Sequence, residues 1–125
     1  MPDLLARSHE ETVVMAQIEE PAGVEACEAI AAIQGIDALF VGPADLSVGY
    51  GHDTQSSDDL IRALERVGKA AQAAGKAYVS WVANAQRAQD WSAYGMSCFF
   101  ISSEHAWMRA AATAEARGVH EIDKT

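Results

Sequence analysis

Two acidic residues, Glu19 and Asp45, occupy positions at which metal chemistry is possible. Glu19 follows the apolar run 13–18, and Asp45 follows the apolar run 36–41 after a short turn. If the two runs are neighbouring parallel strands, both carboxylates project from the same end of the sheet. Paired carboxylates with room for water are the ligands that a hard divalent cation such as Mg2+ takes. The alternative interpretation is two solvated acids on surface loops.

The turn before Asp45 reads Gly42-Pro43-Ala44. Glycine lets the backbone approach a ligand closely, and proline stiffens the turn. The backbone N–H groups of Ala44 and Asp45 are therefore candidates to face a small anion beside a metal ion. A plain turn is the alternative interpretation of the Gly-Pro step.

Strand and helix patterns alternate along the chain. Apolar runs rich in β-branched and aromatic residues predict four strands, over 13–18, 36–41, 77–82 and 97–101. Helical spacing of apolar residues predicts four helices, over about 21–34, 57–74, 84–94 and 104–117. A polar loop is expected from about 47 to 56 and a frayed tail from 119 to 125. Ser57 and Asn84 are predicted N-caps, and Gly35, Gly75 and Gly95 are predicted to end helices.

This alternation defines an α/β fold of four βα units with a parallel sheet and right-handed crossovers. The continuous apolar character of the first run predicts a strand covered on both faces. Four βα units form either a small open sheet or half of a barrel. At 125 residues the chain is too short for a complete (β/α)8 barrel, which takes roughly 250.

Composition narrows the function classes. With 9 basic and 18 acidic residues the formal net charge is −9, and no Lys/Arg cluster is present, so nucleic acid is not an expected partner. No stretch reaches the ~18 apolar residues of a membrane helix. The N-terminal residues lack the order of a signal peptide, so a cytoplasmic protein is expected. Cys27 and Cys98 form no CxxC motif and are predicted to be buried free thiols.

Three segments together resemble one known family. They are Gln17-Ile18-Glu19, the sequence GIDALFVGPADLS at 35–47, and Gly75-Lys76 before the third strand. They are similar to the metal-binding segment of the HpcH/HpaI aldolase and citrate lyase family, including the spacing between the two acids. The resemblance is strongest over 13–51, moderate to about 84, and weak from 97 onward.

The resemblance implies a fold and an activity. Family members fold as (β/α)8 barrels and form or cleave carbon–carbon bonds through a metal-bound pyruvate enolate, which a Lewis-acidic divalent ion stabilises. The chain would be one partial domain over 1–125, the C-terminal half of a TIM barrel beginning just before strand five. The expected activity is that of a class II aldolase, cleaving 2-oxo-4-hydroxy acids to pyruvate and an aldehyde.

Carried over residue by residue, the resemblance makes Glu19 and Asp45 the protein ligands of Mg2+ or Mn2+. The turn formed by Gly42, Pro43 and Ala44 would bind substrate, with the backbone at Ala44 and Asp45 holding the pyruvate carboxylate. Trp81, near the end of the third strand, would line the substrate pocket or be a packed core aromatic. Glu20 would add negative charge near the metal or cap the next helix.

The chain also departs from the family pattern. The catalytic histidine with its acid, and an arginine that steadies the enolate oxygen, come from the first half of the barrel, so no catalytic residue is assigned here. His52 is the most notable histidine, because its loop is expected to overhang the site. After the fourth strand the chain reads Ser103-Glu104-His105, where the family has glycine and aspartate.

Alternatives to an aldolase half remain open. One is a non-catalytic, decayed family member that acts as a binding or assembly module, and another is citrate-lyase-like cleavage of CoA esters. An acidic receiver-type domain is disfavoured, because no Asp follows the third strand and no Lys follows the fourth. Half a barrel leaves exposed strand edges, so a homo-oligomer or a complementing chain is expected beside a pyruvate-like 2-oxo acid.

Overall fold

The structure, a computed structural model, describes residues 2–122. Within this range the elements are α1 (Pro2–Glu11), β1 (Met15–Ile18), α2 (Pro21–Glu25), α3 (Cys27–Ala31), β2 (Ala38–Val41), α4 (Pro43–Gly49), α5 (Asp58–Ala73), β3 (Ala77–Val82), α6 (Ala85–Ser92), β4 (Cys98–Ile101) and α7 (Glu104–Ile122). All four predicted strands are present, each followed by helix. The α/β class and its four βα units are confirmed.

The four strands form one parallel sheet in the order β1-β2-β3-β4. Every strand pairs with the next strand in the chain, as in a segment of a (β/α)8 barrel. A doubly wound sheet instead reverses its strand order at a switch point. The sequential order therefore rules out the receiver-type alternative.

Strand register divides the strand residues between two faces, because paired residues share a face and successive side chains alternate. The face covered by helices carries Ala16, Ile18, Leu39, Val41, Tyr78, Ser80, Val82 and Phe99. The opposite face, here called the inner face, carries Met15, Gln17, Phe40, Val79, Trp81, Cys98 and Phe100. Residues that follow the strands continue the same alternation, which sets the positions of the site residues below.

The hydrophobic core lies between the helix-covered face and α5. Leu60, Leu64 and Val67 of α5 are fully buried against the sheet, and burial of each such side chain contributes about 1.5–3 kcal/mol. The Tyr78 hydroxyl lies within this core and donates to the Leu64 carbonyl at 3.0 Å. Burial raises the pKa of Tyr78 far above its ordinary value, so the phenol stays protonated as a donor.

An arginine on the outer surface joins three helices. Arg66 of α5 contacts the Glu25 carboxylate at 2.7 Å, the Glu28 carboxylate at 3.1 Å and the Glu25 carbonyl at 3.0 Å. The hydrogen bond from the guanidinium is the main cause that lowers the pKa of Glu28 to about 2. The cluster fixes α5 against α2 and α3.

Predicted helix ends agree with the structure at several positions. Ser57 caps α5 by accepting from the Leu60 amide, and Asn84 caps α6 by accepting from the Arg87 amide at 2.9 Å. Gly35, Gly75 and Gly95 all have positive φ after a helix, as predicted for glycines that end helices.

Other boundaries were predicted wrongly. The predicted helix over 21–34 is two short helices separated by Ala26, whose φ of −99° and ψ of 4° are not helical. The predicted loop from 47 begins later, because Pro43 starts a helix that runs to Gly49. The predicted tail from 119 is helical to Ile122, since Gly118 continues α7; its residues 123–125 lie outside the described range.

Helix α1 was not predicted at all. Its signals are Asp3 in the first turn and an ion pair between Arg7 and Glu11 one turn apart. Leu4 and Leu5 on this helix are each 69% exposed, so no buried stripe marks it.

The inner face is open, which corrects two further predictions. Met15 and Gln17 of β1 are exposed, so this strand is not covered on both faces in the described part of the chain. Cys27 is buried as predicted, but Cys98 is exposed, because it lies on the inner face of an edge strand. Among residues 2–122, no helix is long and apolar enough to cross a membrane.

Candidate functional site

The carboxyl ends of β1 and β2 bring Glu19 and Gly42 side by side. The last pair of the ladder joins Ile18 to Val41, and the Gly42 amide continues it by donating to the Ile18 carbonyl at 3.0 Å. Glu19 and Gly42 are the next residues on their strands, and by alternation both belong to the inner face. The register thus sets the Glu19 carboxylate at the mouth of the half barrel.

Gly42 lies between the two predicted metal ligands. A Cβ built on Gly42 would stand 2.9 Å from the Glu19 Cβ, 3.4 Å from Glu19 Oε2 and 3.6 Å from Asp45 Oδ2. The two carboxylates therefore converge on the space that the missing side chain leaves. Sequence spacing predicted that Glu19 and Asp45 project at one end of the sheet, and the structure brings them together there.

Asp45 is positioned by the start of α4. Pro43 occupies the first turn, the Leu46 amide donates to the Gly42 carbonyl at 3.0 Å, and Ser47 Oγ donates to the Pro43 carbonyl at 2.8 Å. Leu46 and Ser47 are buried, so the opposite side of the turn, with Ala44 and Asp45, faces outward. Backbone N–H groups in the first turn have no acceptor within the helix, and an acid there is favoured.

Gln17 orients the Glu19 carboxylate through a hydrogen bond. The two side chains lie on the inner face two residues apart, and Gln17 Nε2 donates to Glu19 Oε2 at 2.5 Å. One carboxylate oxygen of Glu19 is thus oriented by a donor that itself carries no charge. Gln17 belongs to the segment that carries the family resemblance, but no role was predicted for it. The signal for its role is the two-residue spacing to Glu19 on a strand.

Glu20 does not cap the next helix through its side chain, and the prediction that it adds negative charge near the metal stays a prediction. It occupies the N-cap position of α2, but its side chain makes no capping hydrogen bond, so the predicted cap is wrong. Its side chain is exposed and extends the chain's acidic surface.

Trp81 lies on the inner face and is not a packed core residue. Its side chain is 44% exposed, and its Nε1 donates to the Ser102 carbonyl at 2.9 Å. It stands one residue past the pair Val41↔Ser80, which puts it level with Gly42 on the neighbouring strand. Phe40 and Phe100, with ring centroids 5.7 Å apart, continue the apolar floor below it. The cavity over this floor also reaches Gln17, the residue that is hydrogen-bonded to Glu19.

The histidines lie apart from this pair. His52 Nε2 bonds Asp59 Oδ2 at 2.8 Å, while Arg62 donates to the other Asp59 oxygen at 2.6 Å. These contacts, the hydrogen bond from His52 first, lower the pKa of Asp59. His105 is exposed on α7. Within residues 2–122 no group of three or more His, Cys, Asp or Glu is arranged to hold a metal ion. The described chain therefore offers a two-carboxylate site.

The donor set suits a hard divalent cation. Glu19 and Asp45 supply carboxylate oxygens around a space free of side-chain atoms, and Mg2+ binds through one or two carboxylates while keeping water or substrate oxygens as its other ligands. The fold and the site thus define the class of protein. It is a (β/α)8-barrel protein, of which this chain forms half, with a carboxylate pair at the carboxyl end of its strands.

Comparisons with known proteins agree with this class. Residues 2–98 match the family described as HpcH/HpaI aldolase/citrate lyase, and the chain belongs to that family. The match extends on the N-terminal side of residue 13, where the strongest part of the resemblance begins, and it ends at residue 98, close to where the resemblance becomes weak.

Individual relatives carry aldolase names. The chain is 36% identical over 115 residues to a hydroxypyruvate/pyruvate aldolase of Delftia acidovorans, covering 91% of this chain and 43% of that protein. It is 39% identical over 77 residues to a 5-keto-4-deoxy-D-glucarate aldolase of Klebsiella pneumoniae, covering 61% and 30%. A crystal structure of a family protein from Burkholderia cenocepacia superposes with a TM-score of 0.87 at 31% identity, covering 94% and 46%. The chain thus spans less than half the length of these relatives.

Proposed function

We propose that this chain is the metal-binding half of a class II aldolase, which cleaves a 2-oxo-4-hydroxy acid to pyruvate and an aldehyde. The observation that carries the proposal is the convergence of Glu19 and Asp45 on the space beside Gly42, in a chain of this family. The relatives named as hydroxypyruvate/pyruvate aldolase and 5-keto-4-deoxy-D-glucarate aldolase support a 2-oxo acid as substrate. A cytoplasmic location belongs to the same proposal.

In this proposal Glu19 and Asp45 hold Mg2+ or Mn2+, which when bound supplies Lewis-acid polarisation of the 2-oxo acid. Gln17 orients Glu19 through its 2.5 Å hydrogen bond. Gly42 keeps the space between the carboxylates free, and the N–H groups of Ala44 and Asp45 receive the substrate carboxylate. The exposed indole of Trp81 forms the neighbouring wall and excludes water from one side.

A binding module without turnover is the second candidate for the chain acting alone. The observation that favours it is the engagement of His52 by Asp59, in a cluster with Arg62 and away from the carboxylate pair. Among residues 12–122, no histidine, His52 included, forms a metal-binding group with Glu19 and Asp45. The chain alone would then bind metal and 2-oxo acid, and turnover would need residues from the other half of the barrel.

The rest of the barrel that the proposal requires, whichever chain supplies it, consists of four strands and three helices. A closed barrel has eight strand pairs, each covered by one helical layer. Within residues 2–122, α2 with α3, α5 and α6 cover the three existing pairs, while α1 and α7 lie outside them at the two edges of the sheet. On closure these two helices would cover the two new strand pairs. A second copy of the chain would bring its own α1 and α7 to the same two new strand pairs, so four helices would compete for two positions. A complementing half of the barrel therefore fits better than a homodimer.

The exposed apolar surface supports the same partner. Trp81 and Phe100 on the inner face are 44% and 49% exposed, and Trp107 and Met108 on α7 are 58% and 62% exposed. The 19-residue helix α7 has no buried residue. Because apolar side chains of this size gain free energy on burial, these surfaces favour association.

The metal site is tested by urea denaturation of the chain with and without Mg2+ or Mn2+ and oxalate. A ligand at about 100 times its Kd that binds only the folded chain adds about 2.7 kcal/mol to the free energy of unfolding. Glu19→Gln and Asp45→Asn should each abolish this gain. Glu20→Gln is the matched control and should retain it. Equal stabilisation of all three variants would overturn the assignment.

The partner is tested by mixing the chain with a separately expressed segment carrying the first four strands of a family barrel. Size-exclusion chromatography should give a one-to-one complex, and pyruvate release from 2-oxo-4-hydroxy acids should appear only in the mixture. A complex without turnover would favour the binding module. A stable homodimer that ignores the added segment would contradict the complementing half.

A further inference from the structure

A second cleft opens at the same end of the sheet as the carboxylate pair. Asp53 and Gln55, in the segment after α4, form one side, and Trp81, Arg87 and Trp91 form the other. Both sides belong to connections that follow the carboxyl ends of β2 and β3, the edge at which ligands bind in parallel α/β proteins. The cleft shares Trp81 with the inner face of the sheet, on which Glu19 and Gly42 also lie.

The guanidinium of Arg87 is held in this cleft by stacking on an aromatic ring. Its guanidinium carbon lies 5.4 Å from the centroid of the Trp91 ring, and Trp91 itself is only 3% exposed. The backbone of Arg87 is fixed by the Asn84 cap at 2.9 Å. In the part of the chain from 2 to 122, no acid or carbonyl accepts from the guanidinium. A stacked arginine with free N–H groups is preorganised for bidentate contact with a carboxylate or phosphate.

Trp81 connects this cleft to the carboxylate pair. It stands level with Gly42 on the next strand, and its indole is fixed by the hydrogen bond to the Ser102 carbonyl. Because Trp81 is level with Gly42 and lines the cleft together with Arg87, it adjoins both places. Asp53 is the other charged residue that lines the cleft.

We infer that Arg87 is a specificity-determining residue that binds an anionic group at the distal end of the substrate, the end farthest from the 2-oxo acid. This inference rests on the proposed function, because the 2-oxo end must be held at Glu19 and Asp45. The recognised chemistry is a 2-oxo acid with a second carboxylate, which Arg87 meets with two parallel N–H donors. The negative charge of Asp53 repels that carboxylate and so reduces the preference for a 2-oxo acid with a second carboxylate.

The test is isothermal titration of the full chain with 2-oxoglutarate and with 2-oxopentanoate, each in saturating Mg2+. Both acids have five carbons, and 2-oxopentanoate carries a methyl group in place of the distal carboxylate. The native chain should bind 2-oxoglutarate at least about tenfold more tightly. In Arg87→Gln this ratio should fall towards one, and in Asp53→Asn it should rise. Arg117→Gln, which removes the same charge on α7, is the control and should keep the native ratio.

The outcomes separate this inference from the function on which it rests. If both acids bind equally to the native chain, or if Arg87→Gln keeps the native ratio, the role of Arg87 is overturned while the metal site stands. If neither acid binds in the presence of Mg2+, the proposed function fails, and the inference fails with it. Arg87→Lys should retain part of the preference, because it keeps the charge without the bidentate geometry.

Discussion

The indole Nε1 of Trp81 donates to the carbonyl oxygen of Ser102 at 2.9 Å, across the carboxyl ends of β3 and β4. Ser102 has a φ of 54°, and among residues 2–122 it is the only non-glycine residue with positive φ. Its amide donates to the Val82 carbonyl at 2.8 Å, so the strained backbone is held at both of its polar groups. The family pattern has a glycine after this strand, and the position that needs one here is Ser102, not Ser103.

Ser102→Gly is expected to stabilise the chain. The left-handed conformation costs a non-glycine residue about 1–2 kcal/mol, and glycine entropy offsets about 0.5–1 kcal/mol of the relief. The free energy of unfolding, measured by urea denaturation, should therefore rise by up to about 1.5 kcal/mol. Ser103→Gly is the control, because Ser103 Oγ accepts from the Ala106 amide and gains no such relief, so that variant should be less stable. A destabilised Ser102→Gly would contradict the account of strain.

Gly42→Ala is expected to disrupt the carboxylate pair. The new Cβ would stand 2.9 Å from the Glu19 Cβ, closer than unbonded carbon atoms approach, so the Glu19 side chain must shift from its place beside Asp45. Displacing a group that orients metal ligands typically lowers metal affinity 10–100-fold, and overpacking costs about 1–3 kcal/mol. Titration calorimetry with Mg2+ and urea denaturation measure the two effects separately.

The matched control for Gly42→Ala is Gly118→Ala. Gly118 lies within α7, and a Cβ built there meets nothing within 4 Å. The free energy of unfolding should rise by up to about 1 kcal/mol from helix propensity, with Mg2+ affinity unchanged. If Gly42→Ala binds Mg2+ as well as this control does, the space beside Gly42 is not the metal site.

Local pattern was sufficient to predict the sheet and the carboxylate pair. The four strands are apolar runs bounded by turn residues, and the segments that hold Glu19 and Asp45 follow directly from where two of them end. Ser57 and Asn84 could be assigned as caps because a cap depends on residues three positions away. Each of these features is set by short-range chemistry.

Features that depend on tertiary placement could not be predicted in the same way. The exposure of Trp81 and Cys98 follows from an inner face that the described chain leaves uncovered, and no local pattern encodes that. The conformation of Ser102 is imposed by its contacts with Trp81 and Val82. The position of Arg87 beside Trp81 depends on how α6 follows β3.

Acid should weaken the cluster that joins α5 to α2 and α3. The Arg66 guanidinium lowers the pKa of Glu28 from 4.5 to about 2, so the folded chain keeps this carboxylate ionised at pH values where the unfolded chain protonates it. At pH values between these two pKa values, unfolding therefore takes up a proton. The contribution of Glu28 to the free energy of unfolding is full above about pH 4.5 and is lost as the pH falls through 2. Urea denaturation from pH 6 to pH 2 should show a shallower pH dependence for Glu28→Gln than for the native chain. Gln72→Ala, an exposed and uncharged position on α5, is the control and should keep the native slope.

Gly68→Ala is expected to be the most destabilising glycine substitution within the core. A Cβ on Gly68 would stand 2.2 Å from the Tyr94 carbonyl oxygen and 3.1 Å from Tyr78 Cε1. The first contact is with backbone, so a change of rotamer cannot relieve it, and α5 must shift from the segment after α6 or from the sheet. Overpacking of this kind costs about 1–3 kcal/mol, and a shift of the Tyr78 ring also weakens its 3.0 Å bond to the Leu64 carbonyl. Urea denaturation followed by tryptophan fluorescence should show the loss, with Gly118→Ala as the same substitution in open space. Equal stability of the two variants would mean that α5 does not approach the Tyr94 carbonyl as closely as the structure indicates.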